Sequence, residues 1–392
     1  MNAEFATAMR RASQEMRAQN LTEATRLIQQ ALNGGGAGAA SSDRRDDLPS
    51  STASGDTANG PQRAASTRLP LGETLKKLKL GGLSRDAFAG LPGMASSRLG
   101  AAAAPPVPDG ARWESRGFTC AAGSRSYRLY VPASAPERPR GLIVMLHGCT
   151  QNPDDFAAGT AMNAAAERHG LAVAYPEQTR GHNPNACWNW FEPKDQRRDA
   201  GEPAILAGLT QEIVATFGID PTAVFVAGLS AGGAMAAVMA QAYPEIYAAA
   251  GVHSGIATNV ARDVASAFAA MRGDAGAGGP LSRTGRVTRT IVFQGGADRT
   301  VHPSNADRIL DAATPAAASS STKRVAGESG GRGATVTVVA DPSGETLAER
   351  WLVDGAGHAW SGGRPGGSYV DPTGPDASAE MIRFFLAAPP AP

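Results

Sequence analysis

An α/β fold, a mostly parallel sheet flanked by helices, is what the sequence predicts, and two observations predict it. From Trp113 onward, apolar runs of strand length alternate with stretches whose apolar residues recur at helical spacing. Within that alternation, the segment VFVAGLSAGG joins an apolar run to an Ala- and Met-rich helical stretch through a glycine turn centred on a serine. The 42% hydrophobic content and the formal net charge of +1 suit a packed core and argue against both global disorder and charge-driven nucleic-acid binding.

Residues 1–34 read as an amphipathic helical hairpin. Phe5, Met9, Ala12 and Met16 recur at helical spacing, and Leu21, Ala24, Leu27, Ile28 and Leu32 do so after a break near Asn20. That apolar face needs cover from the rest of the chain, a partner or a hydrophobic surface. Residues 35–108 are dominated by Ala, Gly, Ser, Pro and charged residues, too little apolar surface to offset chain entropy, and are expected to be a largely disordered linker. Within it, Leu69 to Leu91, with Leu75, Leu78, Leu80, Leu83, Phe88 and Leu91, reads as a short docking segment.

The catalytic domain is assigned to residues 109–392. Strands are expected at 127–131, 142–146, 171–175, 223–227, 291–294 and 349–353, and helices at 161–169, 204–217, 231–242 and 379–386. The polar, Gly-rich stretches 272–285 and 314–333 read as surface loops.

No window approaches the roughly 18 consecutive apolar residues of a membrane helix. The start MNAEFATAMRRASQEMRAQ carries charges where a secretory signal has its apolar region, so a cytoplasmic location is expected, with an extracellular one as the alternative. Three cysteines, Cys120, Cys149 and Cys187, are too few and too scattered for a zinc site or a disulfide framework.

Gly228-Leu229-Ser230-Ala231-Gly232 matches the GxSxG turn of α/β-hydrolases, with the strand before it and the helix after it that the motif requires. Ser230 is therefore the candidate nucleophile. A serine hydroxyl needs an imidazole to accept its proton and a carboxylate to orient that imidazole. In the α/β-hydrolase order the histidine comes last, which leaves His302 and His358, and the glycine loop around His358 favours the latter. Asp298 follows a strand and a glycine loop as the acid should, with Asp307 and Asp354 as alternatives. His147, His169, His182 and His253 read as loop-shaping, surface or hydrogen-bonded residues.

Attack on an ester places negative charge on the carbonyl oxygen, so backbone amides must point there. Ala231 supplies one, and Cys149, in the loop His147-Gly148-Cys149-Thr150 after an earlier strand, the other. Trp188 and Trp190, in Cys187-Trp188-Asn189-Trp190-Phe191, read either as a substrate-facing wall or as a satellite core cluster, and Trp360 joins them as a substrate-binding candidate. A Cys149–Cys187 bond would tether this loop to the oxyanion strand, whereas a reducing cytoplasm argues against one, so the pairing is left open.

From about Trp113 to the end, the chain resembles the short-chain-length polyhydroxyalkanoate depolymerases, the PHB-depolymerase esterases. The segments LHGCTQNPDDFAAGTAMN, AYPEQT, NPNACWNWF, GEPAILAGLT, VAGLSAGGAMAAVMA, GVHSG, GHAWSGG and GSYVDPTGPDASAEMIRFF carry the resemblance. The resemblance implies an α/β-hydrolase fold in the type 1 order, Ser230, Asp298 and His358 as triad, and Cys149 at the oxyanion site. It also implies cleavage of poly(3-hydroxybutyrate) esters with no metal or organic cofactor. Secreted members carry a signal peptide and usually a substrate-binding domain, neither visible here. The N-terminal helical pair is similar instead to that of signal-less relatives, which points to intracellular polymer or oligomer and to a polymer-granule surface as partner. Feruloyl and acetylxylan esterases share much of the framework and give a second reading. A granule-binding protein with a secondary catalytic role is a third.

Overall fold

The computed structural model describes residues 104–274, 287–315, 317–327 and 330–387. The expected hairpin at 1–34, almost all of the expected linker and its leucine segment lie outside the described residues.

The chain begins with an antiparallel pair, β1 (Arg112–Cys120) and β2 (Gly123–Val131), followed by β3 (Gly141–Leu146). Helices α1 (Pro153–Thr160) and α2 (Met162–Glu167) lead to β4 (Leu171–Pro176), and α3 (Gly201–Phe217) leads to β5 (Val224–Leu229). Next come α4 (Ala231–Ala242), β6 (Ala249–His253), α5 (Val264–Met271), β7 (Arg289–Gly295) and α6 (Ser304–Ala312). Strands β8 (Ser319–Val325), β9 (Ala334–Ala340) and β10 (Thr346–Val353) follow, then the short β11 (Trp360–Ser361) and β12 (Val370–Asp371), and α7 (Ala377–Leu386).

Among the described residues, ten strands form one sheet in the order β1-β2-β4-β3-β5-β6-β7-β10-β9-β8. The run from β4 to β10 is parallel, and antiparallel strands close both sides. Every residue of β3, β4, β5, β6 and β7 is buried, because helices cover both faces and leave no polar side to the strand. Side chains alternate between two cores. Leu142, Val144 and Leu146 of β3 pack with Leu206 and Ile213 of α3 and Met235 of α4. Ile143 and Met145 point the other way, toward Phe156, Met162 and Phe384 of α1, α2 and α7.

One expected loop is corrected. Within 314–333 the segment SSSTKRV is strand β8, paired antiparallel to β9. It is almost wholly exposed at the sheet edge, so it needs no apolar alternation, and Lys323 and Arg324 blunt that edge against further pairing. Strands β1 and β9 also escape the sequence reading. Both lie in the antiparallel flanks, where partial exposure dilutes the apolar signal.

Candidate active site

Ser230 sits between the end of β5 and the start of α4 with φ 58° and ψ −119°. A non-glycine residue held there stores strain on the order of 1–3 kcal/mol, which packing around it must impose. The turn is confined on both sides. A Cβ at Gly232 would lie 1.9 Å from the Leu146 carbonyl oxygen, and one at Gly228 would lie 2.4 Å from the Gly232 backbone. The Ser230 amide donates to the His253 carbonyl at 2.9 Å and so pins the turn to β6.

Asp298 lies in the turn after β7, with its side chain buried. Its Oδ2 lies 2.8 Å from His358 Nδ1. Oδ1 accepts from the Thr300 and Val301 amides at 2.9 Å each, and Gln294 Nε2 donates to Oδ2 at 3.1 Å. Burial raises the Asp298 pKa, but the hydrogen bond and charge of His358 and the two amides outweigh it and hold the carboxyl below its ordinary value. A carboxylate at Nδ1 keeps the proton on that nitrogen and leaves Nε2 as an acceptor. The other carboxylates considered are engaged elsewhere, Asp307 with Arg350 and Asp354 with Arg324. His302 turns its Nδ1 to Ser304 Oγ.

The loop after β3 is held from several directions. The Gly148 amide donates to Gln151 Oε1 at 2.9 Å, and the Thr150 amide to the Asn185 carbonyl at 2.8 Å. Gln151 is in turn fixed by Asp155, which also accepts from the Ser368 amide. Between these tethered amides, the Cys149 amide has no acceptor among the described residues. Ala231 opens α4, where an amide has no acceptor within its own helix. Ser230, Ala231 and Cys149 line one pocket.

Two buried imidazoles serve as connectors. His147 Nε2 accepts from the Gln178 amide at 3.1 Å, and burial lowers its pKa. His253 is pushed down to about 3, by burial first and then by the nearby His358. Its ring lies 5.0 Å from Trp360 and 5.7 Å from Phe293, and its Nε2 accepts from the Ser361 amide at 2.9 Å. His253 thus joins the serine turn, through its carbonyl, to the loop that carries His358.

The pocket encloses about 540 Å³ including its open mouth, and its lining is almost wholly apolar. Ile256, Ala267 and Val301 form its buried parts, and Val264 stands exposed at 46%. Val264, Ala267, Phe268 and Met271 of α5 all line it, a stripe at i, i+3, i+4 and i+7. That spacing is the signal the sequence carries for this wall.

Of the three tryptophans expected at the substrate, Trp190 lines the pocket, and the other two are corrected. Trp188 is fully buried in the core beside His147, with ring centroids 5.9 Å apart. Trp360 is 1% exposed, wedged against Phe156 and His253, with its Nε1 donating to Ser378 Oγ at 3.1 Å. Both hold the site's scaffold from behind.

Cys149 and Cys187 form a disulfide, with Cα atoms 4.3 Å apart and a sequence separation of 38. Cys187→Ser is expected to cost about 2–4 kcal/mol of stability, from the chain entropy regained by the unfolded state. The drop should appear as a lower urea midpoint, and reductant should produce it in the unaltered protein. An unchanged midpoint in both experiments would show that the bond adds nothing.

Residues 125–336, more than half of the 392, match the family model described as Esterase PHB depolymerase. Poly(3-hydroxyalkanoate) depolymerase C of Paucimonas lemoignei is 34% identical over 252 residues, 62% of this chain and 57% of that protein. Poly(3-hydroxybutyrate) depolymerase of Ralstonia pickettii is 32% identical over 280 residues, 64% and 55% respectively. The chain therefore spans little more than half the length of either relative. The solved acetyl xylan esterase from Aspergillus awamori superposes with a TM-score of 0.52 at 19% identity, covering 71% of this chain and 99% of that one, which establishes a shared α/β-hydrolase fold. On the family match, this chain belongs to the esterase PHB depolymerases.

Proposed function

We propose that the chain is a serine esterase that hydrolyses poly(3-hydroxybutyrate), related short-chain polyhydroxyalkanoates or their oligomers. In this mechanism His358 Nε2 takes the proton from Ser230 Oγ as the oxygen attacks the ester carbonyl, and Asp298 stabilises the imidazolium that forms. The Ala231 and Cys149 amides receive the oxyanion. The imidazolium then protonates the departing alcohol, leaving an acyl-enzyme. Water, deprotonated by His358, releases the acid and restores the serine. The chemistry calls for no metal or organic cofactor.

The observation that carries a polyester over a sugar ester is the apolar pocket beside Ser230. A short aliphatic acyl unit gains from such walls, whereas a sugar would leave its hydroxyls without partners. The test is product release from amorphous poly(3-hydroxybutyrate), acetylated xylan and methyl ferulate in parallel. Soluble hydroxybutyrate or its oligomers as the main product supports the proposal, and faster release of acetate or ferulate overturns it. Ala267→Leu fills the inner wall and is expected to lower kcat/KM for p-nitrophenyl butyrate relative to the acetate about tenfold. An unaltered ratio would place the acyl chain elsewhere.

Location belongs to the same proposal. Structural disulfides persist in oxidising compartments, so the Cys149–Cys187 bond supports the extracellular alternative over the cytoplasm. Enzyme found only inside unlysed host cells would reverse that. A polymer-granule surface as partner for residues 1–34 belongs to the cytoplasmic alternative and is tested by co-sedimentation of the full chain with native granules.

A further inference from the structure

Glu202, in the first turn of α3, is 4% exposed, and its carboxylate is met by N–H donors alone. Oε1 accepts from Gln178 Nε2 at 2.5 Å, Asn189 Nδ2 at 2.7 Å and Arg125 Nη2 at 3.2 Å, and Oε2 accepts from the Asn189 amide at 2.8 Å. Its own amide donates to Asp195 Oδ1 at 2.7 Å. Burial, with Asp195 nearby, pushes its pKa up, while Asn189 and Arg125 act against that rise. A carboxylate so deep in the protein, and outside the serine pocket, is costly unless it is paired and hydrogen-bonded, and Arg125, Gln178 and Asn189 do that here.

What surrounds it is the support of the loop after β3. Gln178 Nε2 also donates to the Cys187 carbonyl at 2.9 Å, and the Gln178 amide donates to His147 Nε2 at 3.1 Å. Glu202 therefore grips the 183–189 loop directly through Asn189 and indirectly through Gln178. That loop holds the Cys149 peptide by the disulfide at Cys187 and by the Asn185 carbonyl at Thr150. His147, at the other end of the same short loop, hangs on Gln178. Both sides of Cys149 thus lead back to one buried anion.

We infer that Glu202 is a positioning residue for the oxyanion site, setting the Cys149 amide through Asn189, Gln178 and the Cys149–Cys187 bridge. This rests on the serine-esterase reading above. An amide aimed at the oxyanion strengthens its bond mainly as the tetrahedral state forms, so misplacing it lowers kcat and leaves KM nearly alone. Glu202→Gln keeps the shape but sets an NH2 against one of the donors. Gln178→Met removes the side-chain bonds to Glu202 and to the Cys187 carbonyl, and the one accepted from Arg125 Nε, while leaving the backbone bond to His147.

The experiment measures p-nitrophenyl butyrate kinetics and inhibition by butylboronic acid, which forms a tetrahedral adduct on a serine, with Ser230→Ala as control. For each variant, a fall in kcat of about 10- to 100-fold is expected, with KM within about twofold. Affinity for the boronic acid should fall by a factor similar to that in kcat. Unchanged kcat, or a loss of kcat without loss of boronate affinity, overturns the inference. If Glu202→Gln does not fold, Gln178→Met decides by the same readouts. Turnover surviving in Ser230→Ala would instead refute the serine-esterase reading itself, whatever the other variants do.

Discussion

Ser230→Ala is expected to lower kcat for p-nitrophenyl butyrate by about 10⁴- to 10⁶-fold, the scale on which serine triads depend on their nucleophile. The fold should survive, because the Ser230 backbone makes the local contacts. Its amide holds the His253 carbonyl, and no helix-capping bond uses its hydroxyl. Alanine keeps a Cβ in the same left-handed conformation, so the strain at φ 58° is neither added to nor relieved. Circular dichroism should show a melting temperature within about 2 °C of the unaltered protein. Substantial residual turnover in a folded variant would remove Ser230 from the chemistry.

Asp298→Asn should reduce kcat by about 10⁴-fold. An asparagine that leaves its oxygen on the Thr300 and Val301 amides turns its NH2 toward His358 Nδ1 and Gln294 Nε2. The imidazole would then need Nδ1 as acceptor and carry its proton on Nε2, the wrong nitrogen for receiving the serine proton. The substitution also alters acid stability in a predictable direction. A folded-state pKa held below the ordinary value gives a stabilisation that is complete above about pH 4 and is lost as pH falls through the depressed value. The acid limb of melting temperature against pH should therefore be shallower in Asp298→Asn. Equal slopes would mean that Asp298 does not couple folding to protonation.

The parts of the site that the sequence reveals are those written in short segments. The serine turn is legible because its glycines, its preceding apolar run and its following helix are contiguous, and Gly228 and Gly232 are required by backbone crowding against Leu146. The parallel strands are legible for a related reason, since burial on both faces leaves unbroken apolar runs. Strand β8 is not, because an exposed edge strand needs nothing from its side chains beyond solubility. Trp188 and Trp360 mislead for another reason. An aromatic beside a polar loop reads the same whether it faces a ligand or the scaffold behind it, and only their burial separates the two.

The sequence by itself determined the class of fold and picked out a candidate nucleophile with a short set of candidate partners, because those readings follow from local backbone geometry and from chain order. Tertiary structure decided which carboxylate reaches His358 across 60 positions, that Cys149 and Cys187 are joined, and that the stripe on α5 faces the serine pocket. It alone exposed the network on Glu202, whose partners come from four separate segments. Hydrogen bonds and ring contacts depend on distances of a few ångströms between groups far apart in the chain. Those distances exist only after the sheet has ordered its strands and brought the loops at their ends together.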